Sequence, residues 1–353
     1  MPFSPLKPVS ILTWPFSKIY GAGIELRNRG FNSGLLPIQK LPRPVISVGN
    51  LTVGGTGKTP VVAYLAKFLK QHGLKVAVLT RGYKRETSKT VILKQGDLAQ
   101  IPFHETGDEA RVLVHHVGNG GVVIDRNRFR GGTVAINNFN PDVFILDDGF
   151  QHRRLFRELD IVTLDAKLPF GNRQLLPSGP LRESIKNIKR ADLLWITRVN
   201  QSSFSVEEIK SQISYSVDKP AVFSNHEPIK VIDVASESKL PIEFLKNRNV
   251  IAFAGIANPN SFLETLKKLG AIVVRFHNFT DHFMYTKKEI ELLANTLSGC
   301  NAEILITTEK DAVRFSPEIL QNIPNLHVLQ VGIQLLNEKE ELKKILKNIV
   351  LLQ

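Results

Sequence analysis

Residues 48–60 read VGNLTVGGTGKTP. They close an apolar run, PVISVGNL (44–51), that reads as a buried strand. They lead into VVAYLAKFLKQHG (61–73), which reads as a helix stopped at Gly73. A glycine-rich turn between strand and helix that ends Gly57-Lys58-Thr59 has the context of a phosphate loop. Glycines let consecutive backbone N–H groups converge on phosphate oxygens, and the helix N-terminus adds the positive end of its dipole. Thr52, Val53, Gly54, Gly55, Thr56, Gly57, Lys58 and Thr59 are therefore expected to hold a nucleotide. Lys58 is expected to reach the β- and γ-phosphates, and the Thr59 hydroxyl to bind Mg²⁺. One position departs from the strict motif: Thr52 stands where it has glycine, and Gly54 and Gly55 follow later in the loop.

Outward from the loop, short apolar runs alternate with helical patterns. KVAVLTRGY (75–83), VFILDDG (143–149), DIVTLDA (160–166) and ADLLWITRV (191–199) read as further strands. Such spacing predicts an α/β fold of the P-loop NTPase type, a mostly parallel sheet flanked by helices. A second series begins at NVIAFAGI (249–256). It continues through a helix over 259–270, AIVVRF (271–276), a helix over 286–297, EILITT (303–308), LHVLQVG (326–332) and a terminal helix from Asn337. The expected organisation is an amphipathic helical segment over 1–30, a P-loop core domain over 31–220, a hinge over 221–248 and a smaller α/β domain over 249–353.

In the first segment a helix is expected from Pro15, a residue suited to the first helical position, to a stop at Gly30. Phe16, Ile19 and Tyr20 recur at helical spacing, with Lys18, Arg27 and Arg29 beside them. That pattern suits either a helix packed on its own domain or one lying in a membrane interface.

The strand VFILDDG supplies the acidic end that a phosphate loop needs. Asp147 and Asp148 follow four apolar residues, and adjacent side chains leave a strand in opposite directions. One is expected on Mg²⁺ and the other nearer the acceptor or in a supporting contact. A GTPase wants an Asn/Thr-Lys-x-Asp element at a strand end. Thr197-Arg198-Val199-Asn200 matches it poorly, so ATP is the expected nucleotide.

Composition narrows the field. The chain has 353 residues, 46 Lys+Arg against 33 Asp+Glu, a net charge of +13 and one cysteine, Cys300. A lone cysteine excludes a disulfide framework and a cysteine-built zinc site. The positive charge points to an anionic partner. No nucleic-acid module accompanies it, and no obligate protein partner is evident.

Further blocks carry a family likeness: TRGY (80–83), TGDEA (106–110), LDDGFQHRRL (146–155), LLPSGPLRE (175–183), FTDH (279–282) and TTEKDAVR (307–314). With the phosphate loop, and in this order, they resemble the tetraacyldisaccharide 4′-kinases over nearly the whole chain. The resemblance implies ATP-dependent phosphorylation of the 4′-hydroxyl of a tetraacyl glucosamine disaccharide 1-phosphate, the lipid A precursor. It implies a peripheral protein on the cytoplasmic face of a bacterial inner membrane, where a basic surface meets anionic lipid. It also implies that Asp108 is the base and His282 its partner. Arg182 is then expected to stabilise the transferring phosphoryl, and Glu183 to complete the Mg²⁺ shell. Gln151 is expected to touch nucleotide or acceptor. Tyr83 and Arg128 are expected at the acceptor, among bases that include Lys84, Arg85, Arg126 and Arg130. The block 307–311 follows a strand, and there a ligand-facing turn and an ion-paired turn are equally expected. The competing reading is a membrane-associated P-loop ATPase switch. Switches with a deviant loop place a lysine early, where this chain has Val53.

Overall fold

A computed structural model describes residues 8–83, 85–98, 100–214, 218–315, 317–320, 323–336 and 339–350. Lys84 and Asn337, singled out above, lie outside the described residues. The first strands are β1 (Val45–Gly49), β2 (Val76–Thr80), β3 (Val91–Leu93), β4 (Gly121–Ile124), β5 (Val143–Asp147), β6 (Leu159–Asp165) and β7 (Leu193–Thr197). Then come β8 (Ala221–Asp233), β9 (Lys239–Leu240), β10 (Asn249–Ala254), β11 (Ile272–Asn278), β12 (Ile304–Thr308) and β13 (Leu326–Leu335). The helices are α1 (Pro8–Asn32), α2 (Lys58–Gln71), α3 (Phe103–Thr106), α4 (Asp108–Val117), α5 (Arg128–Phe139) and α6 (Val206–Ser214). They continue with α7 (Pro259–Lys268), α8 (Lys287–Gly299), α9 (Glu309–Ala312), α10 (Pro317–Leu320) and α11 (Lys339–Lys347).

The strands form one sheet in the order β11-β10-β12-β13-β8-β7-β6-β1-β5-β2-β4-β3, with β9 paired to β8. The pairs among β2, β4, β5, β1, β6 and β7 are parallel, and β3 is an antiparallel edge. The apolar runs are explained by burial on both faces. In β1, Ile46 and Val48 pack toward α2 and α4, while Val45 packs toward α5. In β5, Ile145 faces the first side, and Phe144 and Leu146 the second. The second unit repeats the arrangement. Val250 and Ala252 of β10 meet α7, and Ile251 and Phe253 meet α8.

The first part of the segment expected as a hinge, Ala221–Asp233, is extended chain. β8 pairs in parallel with β7 through Ala221–Phe223, then antiparallel with β13 from Ser224 to Asp233. It therefore belongs to both halves of the sheet. Pro228, which has no N–H to give a ladder, sits where the β8–β13 register shifts. The C-terminal helix also differs from its expected place. Leu342, Leu346 and Val350 are buried in the core of the first unit, with Val61, Leu65 and Trp195, and not in that of the second. Helical periodicity marked the helix, but periodicity names no partner.

Helix α1 starts at Pro8 and carries Pro15 in its interior. The expected start at Pro15 is corrected by tertiary bonds around that point. The Ser17 hydroxyl donates to the Leu175 carbonyl at 3.0 Å and to Ser178 Oγ at 2.8 Å, and Thr13 Oγ1 lies 2.9 Å from Ser178 Oγ. Further along, the Tyr20 hydroxyl donates to the Arg182 carbonyl at 2.8 Å. One face of α1 is thus fastened to the loop over 175–182. The opposite face leaves Trp14, Phe16, Ile19 and Leu26 exposed, with the Lys18 ammonium 5.0 Å from the Trp14 ring centre. No helix among the described residues is long and apolar enough to cross a membrane.

Candidate active site

The C-terminal ends of β1, β5, β6 and β7 converge on the phosphate loop. Val48 of β1 is level with Asp147 of β5, so the acidic pair emerges beside the loop. Gly49 is required there: a Cβ at this position would come within 2.5 Å of the Phe150 backbone nitrogen as the chain turns over the strand end. Below the loop, Asn50 Nδ2 donates to Thr56 Oγ1 at 3.0 Å, and Thr56 Oγ1 is 2.8 Å from Thr163 Oγ1. The Thr197 hydroxyl donates to the Thr56 carbonyl at 2.9 Å. Arg198 Nη1 donates to the Gly55 carbonyl at 2.6 Å and to Asp165 Oδ2 at 2.5 Å. The segment 197–200, a poor base-reading element, instead braces the loop.

Gly57 has φ +81°, and a Cβ there would lie 2.8 Å from the His226 ring. It precedes α2 with no side-chain cap, so the first N–H groups of that helix are open to an anion. Lys58 Nζ lies 3.4 Å from Asp148 Oδ1. Val53, Gly54, Gly55, Thr56, Gly57, Lys58 and Thr59 all line one cleft of about 1890 Å³. Pockets for single small molecules run to about 1,000 Å³, so this cleft has room for a nucleotide and a second substrate's headgroup. Thr52 does not line it. That residue is buried and bridged to Leu181, because the loop base is pinned there by the Val53 N–H donating to the Pro180 carbonyl at 2.7 Å.

The two adjacent carboxylates diverge. Asp147 is buried, and its Oδ2 accepts from Thr80 Oγ1 at 3.1 Å. Burial first, then the nearby charges of Glu109 and Asp148, push its carboxyl up to about 7, against the pull of Lys58 and Thr80. Asp148 has φ +51° and meets Arg182 Nη1 at 2.8 Å. Burial opposes its ionisation, but Lys58 and Arg182 outweigh it and hold the carboxyl below its ordinary value. Asp147 therefore fits a divalent ion: it is a buried carboxylate beside other carboxylates, and a cation would reverse the charge that raises it. No group of three His, Cys, Asp or Glu among the described residues is arranged to hold a metal. Mg²⁺ suits that arrangement, since it commonly uses one or two protein oxygens together with substrate phosphates and water.

Glu183 is corrected. Its carboxylate is fully buried away from the cleft, where it accepts from Gln151 Nε2 at 2.8 Å, Asn28 Nδ2 at 3.3 Å and Arg190 Nη2 at 2.9 Å. It braces the wall and does not line the cleft. Gln151 is committed likewise, donating to the Asn50 carbonyl at 2.9 Å and accepting from Arg182 Nη1 at 3.4 Å.

Across the cleft, the second unit supplies the loop after β11 and the turn after β12. Asp108, the first residue of α4, is 3% exposed. Its Oδ2 is 2.9 Å from His282 Nδ1, although 174 positions separate the two in the chain. His282 is held at φ +62° by its own N–H, which donates to the Gly255 carbonyl at 3.0 Å. Its Nε2 is 3.7 Å from Asp281 Oδ2, and its ring centre is 6.0 Å from that of Tyr83. Burial acts against ionisation of Asp108, but His282, Lys310 and Arg314 together hold its carboxyl well below the usual range.

Tyr83 and Arg128 line the same cleft. Arg128 is buried, and Nη1 donates to the carbonyls of Asp125 at 3.2 Å and Arg126 at 3.3 Å. Burial lowers its guanidinium to about 10 despite the opposing charges of Asp147 and Asp148. In the turn after β12, Asp311 is ion-paired, while Glu309 and Lys310 line the cleft. The sequence alone assigned no role to Glu109 or Arg314, met Arg198 only in the poor base-reading element, and reached Lys310 only as part of the block 307–311. Arg314 ends the block TTEKDAVR and was the most visible of them.

The chain matches the family described as tetraacyldisaccharide-1-phosphate 4′-kinase over residues 9–351. It is 40% identical over 301 residues to the tetraacyldisaccharide 4′-kinase of Pelobacter propionicus, spanning 85% of this chain and 81% of that one. It is 38% identical over 335 residues to the namesake from Aquifex aeolicus, spanning 95% and 97%. Its fold is similar to the crystal structure of LpxK from Aquifex aeolicus in complex with ATP, with TM-score 0.81, 36% identity and coverage of 97% of this chain and 99% of that one.

Proposed function

This chain belongs to the tetraacyldisaccharide-1-phosphate 4′-kinase family, and from that premise we propose that it moves the γ-phosphoryl group of ATP to the 4′-hydroxyl of a tetraacyl disaccharide 1-phosphate, the lipid A precursor. One observation carries the mechanism: the phosphate loop with Lys58 and the imidazole of His282 line one cleft, and Asp108 lies 2.9 Å behind that imidazole. Asp108 takes the proton as the hydroxyl oxygen bonds to the γ-phosphorus and the bond to the β–γ bridging oxygen breaks. His282 orients the carboxylate. Lys58 and Arg182 face the charge that develops on the transferring group. Thr59 and Asp147 would hold Mg²⁺, which would supply neutralisation of the phosphate charge. Tyr83 and Arg128 contact the acceptor, a sugar ring against the phenol and an anionic oxygen against the guanidinium.

The test is phosphate transfer from ATP to the disaccharide in detergent micelles, with an acceptor lacking its 4′-hydroxyl as control. Transfer to the intact acceptor alone is expected. Hydrolysis of ATP without transfer would point to a nucleotide switch instead.

The exposed apolar face of α1 and the basic N-terminal fifty residues, six Lys/Arg against the single acid Glu25, support seating on the anionic cytoplasmic leaflet of the inner membrane. Phe16→Ser together with Ile19→Ser is expected to cut binding to anionic vesicles at least tenfold, from about 1.5 kcal/mol or more per apolar side chain returned to water. Transfer to a micelle-free, short-chain acceptor is expected to stay unchanged. Undiminished vesicle binding by the double variant would remove α1 from the membrane contact.

A further inference from the structure

Arg314 stands behind the base and takes no part in the steps above. Its side chain is fully buried. Nη2 donates to Asp108 Oδ2 at 2.9 Å. Nη1 donates to Asp311 Oδ1 at 2.9 Å and to the Gly255 carbonyl at 2.7 Å. Asp311 is itself fixed, accepting from the Gly255 N–H and the Tyr285 hydroxyl at 2.9 Å each and from Thr308 Oγ1 at 2.6 Å. The guanidinium therefore sits between a carboxylate of the second unit and the carboxylate of the first unit assigned above as the base.

We propose that Arg314 is a positioning residue for phosphoryl transfer: it holds Asp108 ionised, selects the oxygen that meets the acceptor, and ties the base to the seating of the second unit on α4. The inference rests on Asp108 being the base. Oδ2 of Asp108 already accepts from Arg314 and His282, whereas Oδ1 accepts only from the Glu109 N–H, at 3.0 Å, among the described hydrogen bonds. Oδ1 is thus the oxygen left for the hydroxyl proton. A buried carboxylate without a cation drifts toward its neutral form, which cannot take that proton. The groups facing Asp108 are Glu109 on its own helix, His282 with Asp281 beyond it, Lys310 on α9, and Arg314 with Asp311 behind it. Of the two cations, only Arg314 is in direct contact with the carboxylate. A planar guanidinium can bridge two carboxylates at once, which an ammonium does poorly.

The test uses the full chain in the micelle assay from acidic to alkaline pH, with Arg314→Met, Arg314→Lys and Asp108→Asn. Arg314→Met is expected to lower kcat about 100-fold, the scale of a misplaced reacting group. Its KM for ATP should hold, and the acid limb of kcat/KM should move to higher pH. Arg314→Lys keeps the charge, so its acid limb should stay near that of the wild type while kcat falls through lost bridging. A wild-type kcat in Arg314→Met, or a reduced kcat with an unmoved acid limb, overturns the proposal. If Arg314→Met does not fold, Arg314→Lys decides, and a full wild-type kcat there overturns it. Asp108→Asn separates the two readings. Should that variant keep full activity, the assignment of the base fails, whatever the Arg314 variants do.

Discussion

Asp108→Asn is expected to lower turnover about 10²–10⁴-fold, the usual contribution of a positioned general base. Binding of ATP should hold, because the hydrogen-bond partners of Asp108 among the described residues are His282, Arg314 and the Glu109 N–H, none of them in the phosphate loop. The fold should survive as well. Asn keeps the shape and one acceptor oxygen, and Arg314 retains Asp311 and the Gly255 carbonyl. Some stability is lost with the charge, and its sign with pH follows from the direction in which the carboxyl is moved. The folded carboxyl titrates below its unfolded value, so its contribution is present above the unfolded pKa of about 3.9 and is lost as pH falls toward the folded one. The gap in thermal midpoint between wild type and Asp108→Asn should therefore be open at neutral pH and close in acid. Single-turnover transfer, nucleotide titration and a melting series in pH check the three parts. Wild-type turnover in Asp108→Asn would falsify the assignment.

The two sides of this site were unequally legible in the sequence. The phosphate loop could be read because its chemistry is local: the glycines, Lys58 and Thr59 lie within a few residues, between a strand and a helix that periodicity marks. Asp147 and Asp148 were readable for the same reason, as the polar end of an apolar strand. Asp108 and His282 were reachable only through family likeness, since 174 positions separate them and no spacing rule connects them. Arg314 shows where such reading stops. A lone arginine ending a short helical turn looks like any solvated base, and its burial depends on Gly255, Tyr285 and Asp311 meeting around it. Glu183 shows the reverse: an acid beside the site in sequence is turned away in space, because Arg190 and Gln151 already satisfy it. The C-terminal helix follows the same logic. Its apolar spacing announces a helix, but its place on the first core depends on β13 carrying the chain back along β8.

Asp147→Asn is expected to abolish turnover and yet to stabilise the nucleotide-free protein, the opposite of the stability change at Asp108. Asp147 is buried at the end of β5, with Glu109 and Asp148 near it and one hydroxyl donor, Thr80. Burial and those two carboxylates push its carboxyl up to about 7. Between the unfolded value of about 3.9 and that folded value, the native state binds a proton that the unfolded state does not. Stability therefore falls as pH rises through that window. Above it the ionised side chain costs on the order of a few kcal/mol, at about 1.4 kcal/mol for each tenfold change in proton affinity. Asn resembles the neutral acid and keeps an acceptor for Thr80, so at pH 8 the variant should melt higher than the wild type. Below about pH 4 the two should converge. Mg²⁺ with nucleotide inverts the comparison. A cation next to Asp147 favours its charged form, so the wild type gains more from Mg·ATP than the variant does. Turnover fails in the variant because an amide oxygen is a weaker ligand for a hard cation than a carboxylate. Melting curves across pH, with and without Mg·ATP, read both signs at once. A variant less stable than the wild type at pH 8 without nucleotide would mean that the carboxylate is held by a cationic partner and not strained by its neighbours. Retained turnover would move the metal to another oxygen.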